Sequence, residues 1–322
     1  MASSWLAALM VSPAALTIPS CHPGARHARS IVMADSSAHE RYGTAALPAL
    51  PHSFSITRRT LTLASALAAT ASLPAHAAHG MMEFENIPDT ALTVDPANAP
   101  ANNTYSTISA ALAAAPSGGV VKVRAGTYNE RVVIRKPVKL LASTGAVLSW
   151  KSDKPYEAAL DVDVSGSSVA DSKVDVLVSG LAIRHYSPSI AQNYGVYVHS
   201  PTECKVKLFL CDVASSSGSG IGVEGGNVTI FSCTVHDCKN HGVLYVGSGA
   251  TGRVQRCVVE NCKLNGLFLR DGASPTITDN LLKGNAQYGA ALIDCRGVLV
   301  NDNELVRNGK GAVNGECDEF GE

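Results

Sequence analysis

Three side chains able to hold or move a proton recur at nearly equal spacing: His236, Glu260 and Lys283, which stand 24 and 23 residues apart. An imidazole, a carboxylate and an ammonium in one line could take a proton from an acidic carbon, with His236 as base and Lys283 stabilising the charge that develops. A simpler reading of the same line is a salt ladder. Arg256 and Asp279 repeat the opposite-charge pairing 23 residues apart, and exposed pairs of this kind contribute little. A second set mixes rings with charges: Tyr197, His199, Glu224, Phe268 and Arg270, followed by Asp271 and Asp294. Rings offer flat apolar faces, while carboxylates and a guanidinium accept from or donate to hydroxyls. An extended sugar chain would need both, although Tyr197 and Phe268 could equally be ordinary surface rings stacked on their neighbours.

Both sets presuppose that residues about 23 apart in sequence are neighbours in space. Cys211, Cys233, Cys257, Asn280 and Asn303 follow one another at spacings of 22, 24, 23 and 23. Each has an apolar residue three positions earlier (Leu208, Ile230, Val254, Ile277, Val300) and another two positions later (Val213, Val235, Val259, Leu282, Leu305). Ser216, Cys238, Cys262, Asn285 and Asn308 form a parallel series, and Gly195, Gly220, Gly242, Gly266, Gly289 and Gly311 a third. A unit of this length with period-2 strands and no helical stretch excludes helical solenoids and is too short for a propeller blade. What remains is an all-β solenoid, a single-stranded parallel β-helix, with each strand about 4.8 Å from its equivalent in the next coil. Alternation along the strands then turns the Cys/Asn series inward and the ring-and-charge set outward.

The inward series bears on the cysteines. Cys and Asn replace one another in it as small side chains able to meet backbone groups, so a zinc site is not expected, and no cofactor is implied. Disulfides between neighbouring coils, such as Cys238 with Cys262, would require suitable Cβ geometry.

Residues 1–77 contain five arginines, no lysine and only Asp35 and Glu40 as acids, the composition of a transit segment. Within it, Thr57-Arg58-Arg59-Thr60-Leu61 opens an apolar run to Leu73, followed by Ala75-His76-Ala77, which resembles a twin-arginine signal with its cleavage site. The pair reads as a bipartite leader to the chloroplast thylakoid lumen. The apolar run from Trp5 to Leu16 keeps a secretory route as the alternative, and Leu61–Leu73 is too short to span a bilayer. Residues 78–103 read as a linker, and Thr104–Ala115 as a short amphipathic capping helix with Ile108, Ala111, Leu112 and Ala115 on one face. Val120–Val123 and Val132–Ile134 read as strands with Gly126-Thr127-Tyr128 turning between them, and the Ser- and Asp-rich stretch 150–175 as a long loop. After Ala77 there are 25 acidic and 21 basic residues, which leaves no broad basic surface for nucleic acid. The expected partners are a polysaccharide or a protein, with no membrane span in the mature chain and with end-to-end association through the last coil as a further contact.

The segments Tyr105–Leu112, Gly126-Thr127-Tyr128-Asn129-Glu130-Arg131-Val132-Val133-Ile134 and Lys136–Leu140 resemble the N-terminal cap and first coil of the pectin-lyase-like superfamily of right-handed parallel β-helices. The coils, as in Asn227-Val228-Thr229-Ile230 followed by Cys233, Cys238 and Gly242-Val243-Leu244-Tyr245, are similar to its carbohydrate-binding and sugar-hydrolase repeats. The resemblance covers residues 104–313 and implies a right-handed fold and a carbohydrate ligand. Pectin methylesterases share the Gly126–Glu130 segment, but their catalytic Gln and paired Asp motifs have no counterpart here. The Asp-Pro-His-Asp signature of mannuronan epimerases is also missing. The resemblance therefore implies a binding protein first, with a polysaccharide lyase or uronate epimerase, or a lumenal assembly factor, as alternatives.

Overall fold

The computed structural model describes residues 87–97, 101–165, 175–188, 193–201, 203–299 and 302–317. The leader, the twin-arginine segment and Val300 lie outside the described residues. Three parallel sheets run the length of the body. The first has ten strands, from Thr104–Tyr105 and Leu92–Val94 through Gly119–Val123 to Val298–Leu299; the second has eight, from Gly126–Asn129 to Glu304–Val306; the third has eight, from Val132–Ile134 to Gly311–Asn314. Each coil contributes one strand to each sheet, as Gly226–Phe231, Thr234–His236 and Val243–Val246 do in the middle of the body.

The corners follow from backbone chemistry. Leu210, Ser232, Arg256 and Asp279 all have positive φ, between 50° and 57°, and each directly precedes a member of the Cys211–Asn303 series. The left-handed residue bends the chain, so the side chain that follows points inward onto the previous coil. There it accepts from one backbone and donates to another. Asn280 Oδ1 accepts from Cys257 N at 2.9 Å, and its amide donates to Val254 O at 2.9 Å. Cys233 performs the same two contacts with sulfur, accepting from Cys211 N at 3.4 Å and reaching Leu208 O at 3.2 Å. Asn285 and Asn308 repeat the pattern at the second corner, with Cys262 N donating to Asn285 Oδ1 at 3.1 Å and Asn285 N to Asn308 Oδ1 at 3.0 Å. Between the ladders, columns such as Val206, Val228 and Leu208, Ile230, Val254, Ile277 are fully buried and supply the hydrophobic stabilisation.

The helix spans Ile108–Ala114 and buries Ile108, Ala111 and Leu112. Thr107 caps it by accepting from Ala110 N, and the Glu130 carboxylate accepts from Ile108 N and Ser109 N at 2.7 and 2.9 Å. Tyr128 donates to Arg124 O at 2.8 Å, with burial pushing its phenol up to about 12. The Gly126-x-Tyr128-x-Glu130 motif thus fastens the cap to the first coil.

Several sequence expectations shift. Leu92–Val94, in the expected linker, is a buried strand of the first sheet; three residues are too few to show a period. Thr104–Tyr105 is a strand rather than the first helical turn. Gly126–Asn129 is a strand rather than a turn, because a backbone at φ +148° beside the Pro96 ring, where no Cβ would fit, can still pair with Ala146. The 150–175 stretch contains the strand Leu160–Val162. Ser216 is exposed, and buried Ser215 holds the inward position, since its coil lacks at the second corner the left-handed residue that later coils have as Asp237, Asn261, Gly284 and Arg307. Gly311 is one residue out of the glycine column, because Tyr288 pairs with Gly311 and Gly289 therefore faces Ala312. The column needs glycine where a further coil presses on it: a Cβ at Gly220 would lie 2.8 Å from both Gly242 O and Cys238 Sγ. No described coil presses on Ala312. Cys238 and Cys262 are free thiols, and the disulfide joins Cys295 to Cys317.

Candidate functional site

On the outer face of the third sheet, strand pairing stacks Val133, Asp161, Tyr197, Gly222, Leu244, Phe268 and Ala291 in one column. The next outward column carries His199, Glu224, Val246, Arg270 and Ile293, because every second residue faces out. The face therefore brings together all the residues of the ring-and-charge set, with Asp271 and Asp294 stacked at its corner, both at positive φ.

Its centre is apolar and covered. Tyr194 comes from the turn preceding Val196–Val198 and lays its ring over Gly222, where a Cβ would lie 2.7 Å from the ring carbons. Tyr194, Leu244 and Ala158 are buried together, with Tyr197, Val246 and Phe268 packed against them. The Tyr194 and Tyr197 centroids are 5.3 Å apart, and His199 meets Tyr197 edge-on at 5.9 Å. Both phenols donate to one carboxylate: Tyr197 to Glu224 Oε2 at 2.8 Å and Tyr194 to Glu224 Oε1 at 3.2 Å. Burial, then Glu224, pushes both phenols far up, so they remain protonated donors. Glu224 is thus held upright beside the rings as an acceptor. Arg270 sits 3.1 Å from Asp271 at the rim.

His241, which sequence reading missed, stacks on Phe268 at 4.5 Å, and its Nδ1 accepts from Asn265 Nδ2 at 3.3 Å. Burial, helped by Arg270, pulls its pKa down to about 4, so the ring is neutral. Only its place one residue before Gly242 could have flagged it.

The second-sheet column reads differently. His236, Glu260 and Lys283 pair in succession as expected, but their charges are already matched. His236 Nε2 lies 2.9 Å from Asp212 and Nδ1 2.7 Å from Asp237. Arg184 reaches Asp212 at 2.8 Å, and Lys283 reaches Glu260 at 3.0 Å. Burial acts to lower the His236 pKa, but hydrogen bonds to Asp237 and Asp212 outweigh it and the net shift is upward. With both nitrogens held by carboxylates, neither is free to receive a proton from a substrate. Arg256 and Asp279 approach only to 3.9 Å.

A third histidine, also missed, is buried. His185 Nε2 is 2.9 Å from Glu157 O, a group that only accepts, so Nε2 carries the proton and Nδ1 accepts from Ser215 and Ser217 at 3.2 and 3.1 Å. This is a serine–histidine arrangement, but His185, Ser215 and Ser217 are 3%, 0% and 2% exposed, which closes it to any substrate. His185 Nε2 donates to a carbonyl of the coil before it, as the Asn amides do, while its Nδ1 ties in two hydroxyls of the coil after it.

The family described as right handed beta helix region matches residues 165–319. Among solved structures, the chain is similar to the pectin methylesterase from Aspergillus niger in deglycosylated form (14% identity, 74% of this chain and 92% of that one, TM-score 0.41). It is also similar to pectate lyase Pel9A (13%, 64% and 68%, TM-score 0.41) and to the pectin methylesterase from carrot (15%, 71% and 89%, TM-score 0.30). No curated protein matches the chain in sequence. With the three-sheet topology above, the class is an all-β parallel solenoid. The chain is a right-handed parallel β-helix.

Proposed function

We propose that this protein binds an extended saccharide along the outer face of its third sheet, without turnover. The observation that carries the reading is Glu224, fixed by the hydroxyls of Tyr194 and Tyr197 beside a stripe that continues over Leu244 to Phe268. From Tyr197 to Phe268 is three coil steps, about 14 Å, the span of a short oligosaccharide. Sugar rings would stack on Tyr197 and Phe268 while ring hydroxyls donate to Glu224 and accept from Arg270. The clamped state of His236 argues against the second-sheet column as a proton relay.

The test is a glycan array on the full chain, followed by titration calorimetry of the best oligosaccharide against wild type and Tyr197→Ala. We expect saturable binding that Tyr197→Ala weakens about tenfold or more. Unchanged affinity in that variant, or no glycan bound at all, rejects the site. Unsaturated products absorbing in the ultraviolet would convert the binder into a lyase.

A further inference from the structure

At the N-terminal end of the same body, a cavity of about 440 Å³ opens between the capping helix and the first strand of the third sheet. Its floor is aliphatic, formed by Leu112 and Ala113 of the helix with Val133 and Val138. Its rim carries Arg131, Arg135 and Lys136, because Arg131, Val133 and Arg135 alternate on one face of a strand.

The three cations are not equivalent. Lys136 is committed to the end of the helix, where its ammonium donates to Ala113 O at 3.2 Å and Ala115 O at 2.5 Å. Arg131 is half committed: Nη2 bonds Asp161 at 2.7 Å, but its Nε–H is buried and has no partner. Being buried, that N–H is out of a ligand's reach and leaves Arg131 as a wall of the cavity. Arg135 makes no hydrogen bond or ion pair among the described residues. Of the acids facing this corner, Asp161 is matched to Arg131, Asp163 accepts from Ser165, and Glu130 is turned to the helix N-terminus. One guanidinium, Arg135, therefore stands above the aliphatic floor without a contact partner among the described residues, with Asp161 and Asp163 only within its longer-range field.

We infer that this cap cavity binds an organic monocarboxylate with an apolar body, its carboxylate on the exposed Arg135 guanidinium and its chain on Leu112, Ala113, Val133 and Val138. A strongly hydrated dianion such as inorganic phosphate is disfavoured, because the floor offers it no polar partners. The cavity lies two coil steps from Tyr197 on the same sheet, and its lining includes none of Tyr197, Glu224, Phe268 and Arg270, so either site can fail alone.

The experiment is calorimetric titration of octanoate, below its micelle concentration, into the full chain at neutral pH. One site is expected, weakened about tenfold or more by Arg135→Gln and partly restored in Arg135→Lys. Val133→Asp, which places a carboxylate on the exposed side of the floor, is expected to abolish binding without disturbing the core. Octanol should bind about tenfold or more weakly than octanoate. Absence of octanoate binding, equal binding to Arg135→Gln, or octanol binding as tightly as octanoate overturns the proposal. Competition by equimolar phosphate would also overturn it, by making the site a general anion site.

Discussion

Two histidines, His236 on the second sheet and His241 at the edge of the third, stand five residues apart in one coil and live in opposite electrostatic worlds. His236 lies on a face where it shares Asp212 with Arg184 and meets Asp237, while Glu260 and Lys283 satisfy each other. His241 lies under Phe268 beside a buried asparagine, with its lone pair already accepting from Asn265. The first face holds its charges by mutual contact and presents a neutralised lattice to solvent. The second face keeps its polar groups at the margin of an apolar stripe, where the proposed saccharide would meet them. Sequence spacing is the same on both, so spacing alone does not separate a site from a scaffold. What separates them is what the polar groups border: on the His236 face charges are matched to one another and face water, whereas on the third sheet Glu224, fixed by two phenols, and Arg270, paired with Asp271, flank an apolar stripe.

Both faces hang on the same ladder, and removing a ladder residue should move them together. Asn280→Ala deletes the bonds from Cys257 N and to Val254 O and Asn303 Oδ1, leaving buried donors and acceptors unmet. The expected loss is about 3 kcal/mol, read as a shift in the urea midpoint. Asn280→Cys should recover part of it, since sulfur makes the same contacts in the coils below. If Asn280→Ala unfolds at the wild-type midpoint, the ladder is not what holds the two faces in register.

Next in size is the acid limb of stability, which should report His241. Its folded pKa, about 4, lies below the unfolded value of about 6.5. The stabilisation is therefore fully present above pH 6.5 and is lost as pH falls towards 4. The expected loss over that range is about 2 kcal/mol. Other carboxylates and His185, whose pKa burial also lowers, titrate in the same range. The quantity to read is therefore the difference between wild type and His241→Gln. A variant that loses stability in acid as steeply as wild type would show that the ring is not held neutral by Phe268.

The repeat was legible because its ladder residues are chosen by backbone geometry and recur with every coil, and the inward and outward columns follow from it without further information. The outward set Tyr197, His199, Glu224, Phe268 and Arg270 was legible for the same reason. Tyr194 was not, because it enters the face from a turn and its place depends on Gly222 leaving room for its ring. Nor was the early corner at Ser215, where the coil omits a left-handed residue that the later coils all possess. The cap strand Leu92–Val94 is bound by pairing with residues far along the chain, a contact with no local signature. The charges of the second-sheet column could be read, but their partners could not, since Asp212 and Asp237 lie off the column that spacing defines.

On the ligand face, Tyr197→Ala should reduce saccharide affinity by about 1.4 kcal/mol or more, whereas Glu260→Gln and Lys283→Ala should leave it unchanged. Glu224→Gln keeps the shape and one acceptor oxygen, so we expect a smaller loss of about 1 kcal/mol. Loss of binding in Lys283→Ala without loss of fold would erase the distinction between the faces.

The smallest effect tests the second face on its own terms. The His236 pKa is raised, so its folded value exceeds the unfolded one and the stabilisation is complete below about pH 6.5. It is then lost as pH rises through the folded pKa, the opposite direction from His241. Its carboxylate partners Asp212 and Asp237 are 47% and 67% exposed, so solvent screens the clamp and the expected contribution is only about 0.5 kcal/mol. The measurement is the difference in urea midpoint between wild type and His236→Gln at pH 5.5 and again at pH 8.5, with the larger difference at the lower pH. High salt should shrink it, because these charges face water. Equal differences at the two pH values would mean that the imidazole is not charged in the clamp, and the matched lattice that sets this face apart would lose its central member.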